Sequence, residues 1–371
     1  MINRRSLLVG MAGWSITSLL ASCSRSAEET LRVQLLANSL PPQLLGEFQQ
    51  RLNAKLAVTT QAQISAVYDL LQRWQQPNSG SGFLQRRSSP ADLVTLGDSW
   101  LAAAIAQNLI QPLAIENSPQ WQQLPQRWKT LVQRDGKIWA APYRWGTLMI
   151  IYRKDAFDKL GWQPQDWADL WRSPLQGKLG LLDSPRVAIG VALKKLGQSF
   201  NPENLDAVED LATEVEALHQ QARFYSSEAY LQPLLLGQIW AAIGWSFEVL
   251  PILKRNRRLA AVIPPSGTLL SADLWAHPTP QGEAADRALN PLASELINFC
   301  WQPEIATQIS LLSSAVSPVL ETDRTQLPAE LRDDRLRLPP AALLDRSEFL
   351  QPLPAATVER YRRLWTAVRS T

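Results

Sequence analysis

The chain has 371 residues, 46% of them hydrophobic and 19% charged, which is enough to bury a large core and long enough for two lobes. Its 37 Lys and Arg stand against 34 Asp and Glu, and Arg4 and Arg5 at the extreme N-terminus account for part of the formal charge of +3, a balance that excludes a nucleic-acid binder. With two Cys and two His, the chain has no cluster of the kind that holds a structural or catalytic metal.

In chain order, Arg4-Arg5 precede an uncharged apolar run from Leu7 to Ala21, which ends in Leu20-Ala21-Ser22-Cys23. A basic start, an apolar stretch short for a bilayer and small residues before a Cys form a secretory signal. The Leu-Ala-Ser-Cys box is similar to the bacterial lipoprotein cleavage site. It makes residues 1–22 a leader, Cys23 the lipidated N-terminus and residues 23–30 a tether, with an uncleaved anchor as the alternative. The paired Arg is similar to a twin-arginine signal and equally to an ordinary Sec leader, and either route places the domain in the periplasm. With Cys23 lipidated, Cys300 has no disulfide partner and reads as a small buried hydrophobe.

Leu31–Leu36 alternates as a strand, and Gln43–Leu52, after Pro41-Pro42, carries Leu44, Leu45, Phe48 and Leu52 on one helical face. Residues 77–90, rich in Ser, Gly and Arg, read as a solvated loop. Asp92–Leu96 is the next strand, followed by Gly97-Asp98-Ser99-Trp100 and a helix from Leu101 to Gln107. Loops after strands are where open α/β sheets meet ligands, so Asp98, Ser99 and Trp100 are candidate site residues. Asp98 or Ser99 equally suits an N-cap, and Trp100 a core anchor. Trp121, Leu124, Trp128 and Leu131 repeat at helical spacing and serve packing.

The stretch Ala141–Asp155, APYRWGTLMIIYRKD, organises the rest. Ala141-Pro142-Tyr143 is turn-like, Gly146 opens a strongly apolar segment from Thr147 to Tyr152, and that segment reads as a buried strand. Were this a junction between lobes, Tyr143 and Trp145 would face a cleft. Further on, Asp166–Trp171 reads as a short helix with packing aromatics, and Gly177–Leu182 as a strand. Ser184 is then an N-cap with Pro185 at the first position of a helix from Val187 to Leu196 closed by Gly197. Such an N-terminus also suits an anion, which Arg186 would reinforce. Asn204–Gln221 is an amphipathic helix. Strands at Gly237–Ile243 and Leu259–Ile263 end in Gly244-Trp245-Ser246-Phe247-Glu248 and Pro264-Pro265-Ser266-Gly267-Thr268. Helices follow at Asp286–Phe299, interrupted or restarted at Pro291, at Glu304–Leu312 and at Val358–Val368. Strand and helix alternate along nearly the whole chain, the pattern of an α/β fold.

The motifs Pro142-Tyr143-Arg144-Trp145-Gly146-Thr147, Trp167-Ala168-Asp169-Leu170-Trp171, Gly177–Asp183, Gly244-Trp245-Ser246 and Pro264–Asp273 follow one another in an order and spacing that resembles the spermidine/putrescine-type periplasmic solute-binding proteins of ABC importers. The resemblance implies a type II periplasmic-binding-protein fold, two α/β lobes closing on a hinge cleft. It gives residues 31–145 with 270–322 to one lobe and 146–269 with 323–371 to the other, and implies a monomer that serves ABC permease subunits. By the same resemblance Trp245 matches a ring against which a polyamine stacks, and Asp273 a carboxylate that pairs with an ammonium. Ser184 and Val187 stand where polyamine binders place carboxylates, Ser271 where they place a second Trp, Ser39 an aromatic, and Ser99 and Ala315 a Tyr.

A polyamine pocket wants carboxylates along a trough walled by aromatics, with cation–π attraction of roughly 0.5 to 2 kcal/mol per contact. Asp273 with Trp245, Tyr143 and Trp145 would form one end, and Asp98 and Glu248 the other if they face inward, although a lone Glu248 equally reads as a solvated helix residue. Arg144 and Arg186, if both enter the cleft, instead favour an anionic group. The expectation is a cationic or zwitterionic amine, with an anionic solute or a transport-inactive scaffold or sensor as alternatives. An enzyme is not expected: His219 and His277 are isolated, Gly244–Glu248 lacks the second Gly of a nucleophile elbow, and the six Tyr are too scattered for ferric ion. No cofactor or metal is implied.

Overall fold

The structure is a computed structural model that describes residues 30–76, 90–280 and 289–370. The leader, Cys23, most of the tether and the loop at 77–89 lie outside the described residues. The first unit runs β1 (Thr30–Leu36), α1 (Pro42–Leu52), β2 (Lys55–Gln61), α2 (Ile64–Gln75), β3 (Leu93–Gly97) and α3 (Asp98–Ala106), with β1 parallel to both β2 and β3. Two short helices, Pro119–Gln123 and Gln126–Val132, follow, burying Trp121 and Trp128, Leu131 and Val132, and Pro125 lies between them. They lead into β4 (Ala141–Arg153), 13 residues buried along nearly its whole length.

The second unit contains β5 (Leu179–Leu181), α4 (Pro185–Lys195), α5 (Leu211–Gln221), β6 (Ala222–Tyr225), β7 (Ala241–Trp245), α6 (Ser246–Arg255) and β8 (Leu259–Val262). The chain then returns through β9 (Leu269–Pro278) to α7 (Pro291–Cys300) and α8 (Pro303–Ser313), and ends in α9 (Ala355–Arg369). The hydrogen-bonded strand order is β2-β1-β3-β9-β4-β7-β5-β6, with β8 also on β4.

β4 is the strand that joins the units. Its first half lies antiparallel to β9, with Thr147 opposite Leu270, Arg144 opposite Asp273 and Ala141 opposite Trp275. Its second half pairs with β7, Leu148 opposite Trp245, and with β8, Ile150 opposite Val262. The partner changes between Thr147 and Leu148. A strand buried on both faces needs a continuous apolar run, and TLMIIY supplies it. Ala141-Pro142-Tyr143 is not the turn its sequence suggested but the start of this strand. Pro142 is tolerated because the register with β9 shifts between Asp273 and Leu274, so its missing N–H falls at a bulge and not inside a regular ladder.

The apolar interior divides accordingly. One cluster gathers Leu31 to Trp145 with residues from Leu270 onward, a second gathers Leu148 to Leu269, and a third joins α4 and α5 to Tyr361 and Val368 of α9. Leu327, Leu331, Leu338, Leu344 and Phe349 belong to the first cluster while Leu336 and Leu343 pack against the second, so 327–349 lies between the two units, whereas 323–371 had been expected wholly on the second. Asn204–Gln221 is not one helix: a 3-10 turn at Leu205–Ala207 and α5 are separated at Asp210, whose φ of 60° breaks helical geometry. Trp167–Trp171 is a 3-10 helix whose N-terminus is held by an Asp166–Asp169 capping box. Ser184 stands at the N-cap of α4, but its hydroxyl makes no cap bond.

Gly146 fixes how closely the second unit approaches β4. A Cβ there would lie 2.5 Å from Ser246 Oγ and 2.8 Å from Phe247 Cδ1, while the adjacent Thr147 N donates to Ser246 Oγ at 3.0 Å. Gly146→Ala therefore displaces the first turn of α6, and overpacking of this kind costs roughly 1–3 kcal/mol. Urea unfolding should show a lowered midpoint with an unchanged slope; an unaltered midpoint would mean that the close approach is not required.

Candidate functional site

The C-terminal ends of β1, β3 and β7 and the face of β9 open on one cleft of about 1160 Å³ between the units. Strand ends of this kind expose backbone groups and the first turns of helices, and ligands are met there in open α/β sheets. Arg144, Ser99, Trp245, Glu248, Ser271 and Asp273 all line it.

Arg144 and Asp273 are directly opposite each other on β4 and β9, and Arg144 Nε donates to Asp273 Oδ2 at 2.5 Å. Both are largely buried, the side chains 6% and 14% exposed. Burial alone would lower the guanidinium's pKa, but the Asp273 carboxylate and the Tyr143 hydroxyl together more than offset this, so Arg144 stays charged. A second donor, Arg144 Nη1, reaches Asn38 O at 3.4 Å, and the guanidinium lies 5.6 Å from the centre of the Phe247 ring. Asp273 thus enters the cleft with part of its charge already compensated.

Tyr143 and Trp145 do not reach the cleft. Successive side chains of a strand point to opposite faces, so with Arg144 facing the cleft its two neighbours face the core. Tyr143 stacks on Trp275 at 4.4 Å and its hydroxyl lies 3.1 Å from Thr95 Oγ1; Trp145 packs against Trp128 at 5.5 Å. Both are essentially without solvent exposure, and burial pushes the Tyr143 hydroxyl well above the ordinary tyrosine range.

Their place in the wall is taken by Trp245 and Phe247, whose rings are nearly parallel at 6.1 Å. Phe247 was not singled out from the sequence; its position as the second residue of a helix that begins where β7 ends was the available signal. Lys254, Arg255, Ser227 and Glu228 also line the cleft and went equally unread. Glu248 is exposed toward the cleft, and its carboxylate accepts from the Tyr230 hydroxyl. The protein around it still desolvates it enough to raise its pKa.

Beside the main cleft lies a side cavity of about 330 Å³, lined by Asp98, Trp100, Ser184 and Arg186 among others. Asp98 is not an N-cap: it is the first residue of α3, and its Oδ1 accepts from Ala272 N at 2.9 Å and Ser271 Oγ at 3.1 Å, tying α3 to β9. Burial raises its pKa to about 7 in spite of those bonds. Trp100 is backed by Tyr68, ring centres 4.4 Å apart. Arg186 spends its terminal nitrogens on Gln351 O at 3.1 Å and Asn201 Oδ1 at 2.8 Å and lies over Tyr361, and burial lowers its pKa.

A sequence model described as bacterial extracellular solute-binding protein matches residues 88–345. The putrescine-binding periplasmic protein PotF of Escherichia coli strain K12 is 24% identical, over 98% of this chain and 97% of its own. Among solved structures, the spermidine/putrescine ABC transporter substrate-binding protein PotD of Streptococcus pneumoniae superposes with a TM-score of 0.77 at 19% identity, covering 92% of this chain and 99% of that one. The Tp0655 lipoprotein of Treponema pallidum superposes with a TM-score of 0.70 at 19% identity, covering 92% of this chain and 100% of the other. The two-lobe α/β periplasmic-binding-protein fold follows from these likenesses.

Asp98 makes stability depend on pH. Its carboxyl titrates near 3.9 in an unfolded chain and at about 7 when folded, so between these values only the folded state holds the proton. Its contribution is complete below about pH 4 and is lost as pH rises toward 7. Glu321, raised by burial to about 7, acts in the same direction. Thermal melts of Asp98→Asn between pH 4 and 8 should fall less steeply than those of the parent and retain the part due to Glu321. Superimposable profiles would show that Asp98 does not titrate in this window.

Proposed function

The chain belongs to the bacterial extracellular solute-binding proteins, and on that premise we propose that its cleft takes a small cationic or zwitterionic amine of the polyamine kind. The protein is a non-enzymatic, periplasmic or extracellular solute-binding component of ABC transport. The observation that carries the amine reading is Asp273, a carboxylate that lines the same cleft as the parallel rings of Trp245 and Phe247. A carboxylate with aromatic walls gives an ammonium a charge-assisted hydrogen bond and cation–π attraction. Glu248 and Glu228 add negative charge on the same cleft. The names of its relatives, putrescine-binding and spermidine/putrescine-binding, point to the same chemistry.

An anionic solute would have to draw on Arg144, Arg186, Lys254 or Arg255. The first is spent on Asp273, the second on Asn201 and Gln351 and the third on Glu330, and the carboxylates of Glu228 and Glu248 line the same cleft as the fourth, which is why the amine is preferred. In this reading the loaded protein hands its solute to the permease of an importer, and acts as a monomer. Anchoring through a lipid on Cys23 is part of the same proposal, and the lipoprotein from Treponema pallidum is a relative of that type. Mass analysis of the mature N-terminus tests it: diacylglycerol on Cys23 supports the anchor, and an unmodified leader contradicts it.

Thermal-shift measurements with diamines and polyamines, amino acids, organic acids and sugars test the solute class. A ligand present at 100 times its Kd stabilises the folded state by about 2.7 kcal/mol, so amines should raise the Tm and the other classes should not. Stabilisation by organic acids alone would overturn the amine reading, and no response to any class would favour a scaffold or sensor. Asp273→Asn should weaken amine binding by roughly tenfold or more, since a hydrogen bond to a charged group contributes about 1.5–3 kcal/mol. Unchanged affinity would remove Asp273 from the site.

A further inference from the structure

The side cavity adjoins the main cleft: Ser99, Ser227, Ser271 and Trp245 line both, and three of these four shared residues carry only a small hydroxyl side chain. Beyond these shared residues the walls turn apolar: Trp100, Leu182, Val187, Leu270 and Leu350 face the space. The Trp100 ring is held against Tyr68, so one of the walls is a pre-set aromatic surface.

The two charged groups of the cavity argue against a charged occupant. Asp98 is its one carboxylate among the described residues, and its Oδ1 is committed to the backbone and hydroxyl of β9. Arg186 is its one cation, and its terminal nitrogens are committed to Asn201 and Gln351. A charged end placed here would give up water for a space whose two ionisable side chains are already bonded to the protein. An uncharged group avoids that desolvation cost and covers apolar surface.

We infer that the solute is a two-ended amine, its ammonium at Asp273 in the main cleft and an apolar, ring-bearing arm in the side cavity, an arylalkylamine and not a straight diamine. The inference rests on the amine reading given above. Trp245 serves both ends, one part of its ring facing the ammonium and the other the arm. Val187 and Leu350 line the side cavity and not the main cleft, so filling the cavity from those positions separates the two ends.

Isothermal titration of the purified protein with 2-phenylethylamine, butylamine and 1,4-diaminobutane tests this, together with the variants Val187→Phe and Leu350→Trp, each first checked by circular dichroism. The expected result is that 2-phenylethylamine binds the parent at least about tenfold more tightly than butylamine, the discrimination a hydrophobic pocket gives even for small differences in size. Either variant should abolish that advantage while butylamine affinity changes less than about threefold. Tighter binding of 1,4-diaminobutane than of 2-phenylethylamine, or an advantage that survives both variants, would overturn the inference and leave the amine reading standing. If none of the three amines binds the parent, both fall together.

Discussion

The arrangement of the cleft depends on one cross-strand ion pair, Arg144 with Asp273. It sits where β4 is about to exchange β9 for β7 and β8, and so at the seam between the two units. Burying such a pair offers little net stability, because desolvation offsets most of the attraction, but leaving either partner alone costs about 3–5 kcal/mol. The pair therefore selects a register. Slipping β4 by one residue would put Arg144 in the core and Tyr143 or Trp145 in the cleft. The bulge beside Asp273 allows Pro142 into the strand without disturbing that choice.

The position of the aromatic wall follows from the same strand. Gly146, two residues beyond Arg144, has no side chain, and the first turn of α6 settles against it with Ser246 bound to Thr147 N. This close contact brings Trp245 and Phe247 to the cleft that Asp273 also lines. Gly244 in β7 is similarly constrained, since a Cβ there would lie 2.4 Å from the Tyr230 ring, the same side chain that donates to Glu248. Thus two glycines with no part in binding set where two rings and a carboxylate stand. On the other side Asp98 ties α3 to β9, so α3 and α6 are both referred to the β4–β9 pair of strands.

Much of this was legible in the amino-acid sequence. Alternation of strand and helix gave the α/β class, and the apolar run after Gly146 marked the central strand. What misled was the treatment of Tyr143, Arg144 and Trp145 as one group. Strand periodicity separates Arg144 from its neighbours, but only if the strand is known to begin at Ala141, and Pro142 argued locally for a turn. Cross-strand facts such as the Arg144–Asp273 register have no local signature, because 129 residues separate the partners. The break at Asp210 was hidden by a helical pattern that continues across it, and the division of 327–349 between the two cores depends on packing against distant residues.

Asp273 thus carries two relationships at once: it is the partner of Arg144 and the proposed anchor of an ammonium. If both hold, the guanidinium competes with the solute for the carboxylate, and the protein trades affinity for a correctly registered seam. Calorimetric titration of an amine against Arg144→Gln, in a variant confirmed as folded, tests this most directly. Loss of the like charge should tighten binding by about tenfold, as the carboxylate is left without its internal partner. Affinity that stays the same or falls would contradict the account, because the solute would then not depend on Asp273 for its charge.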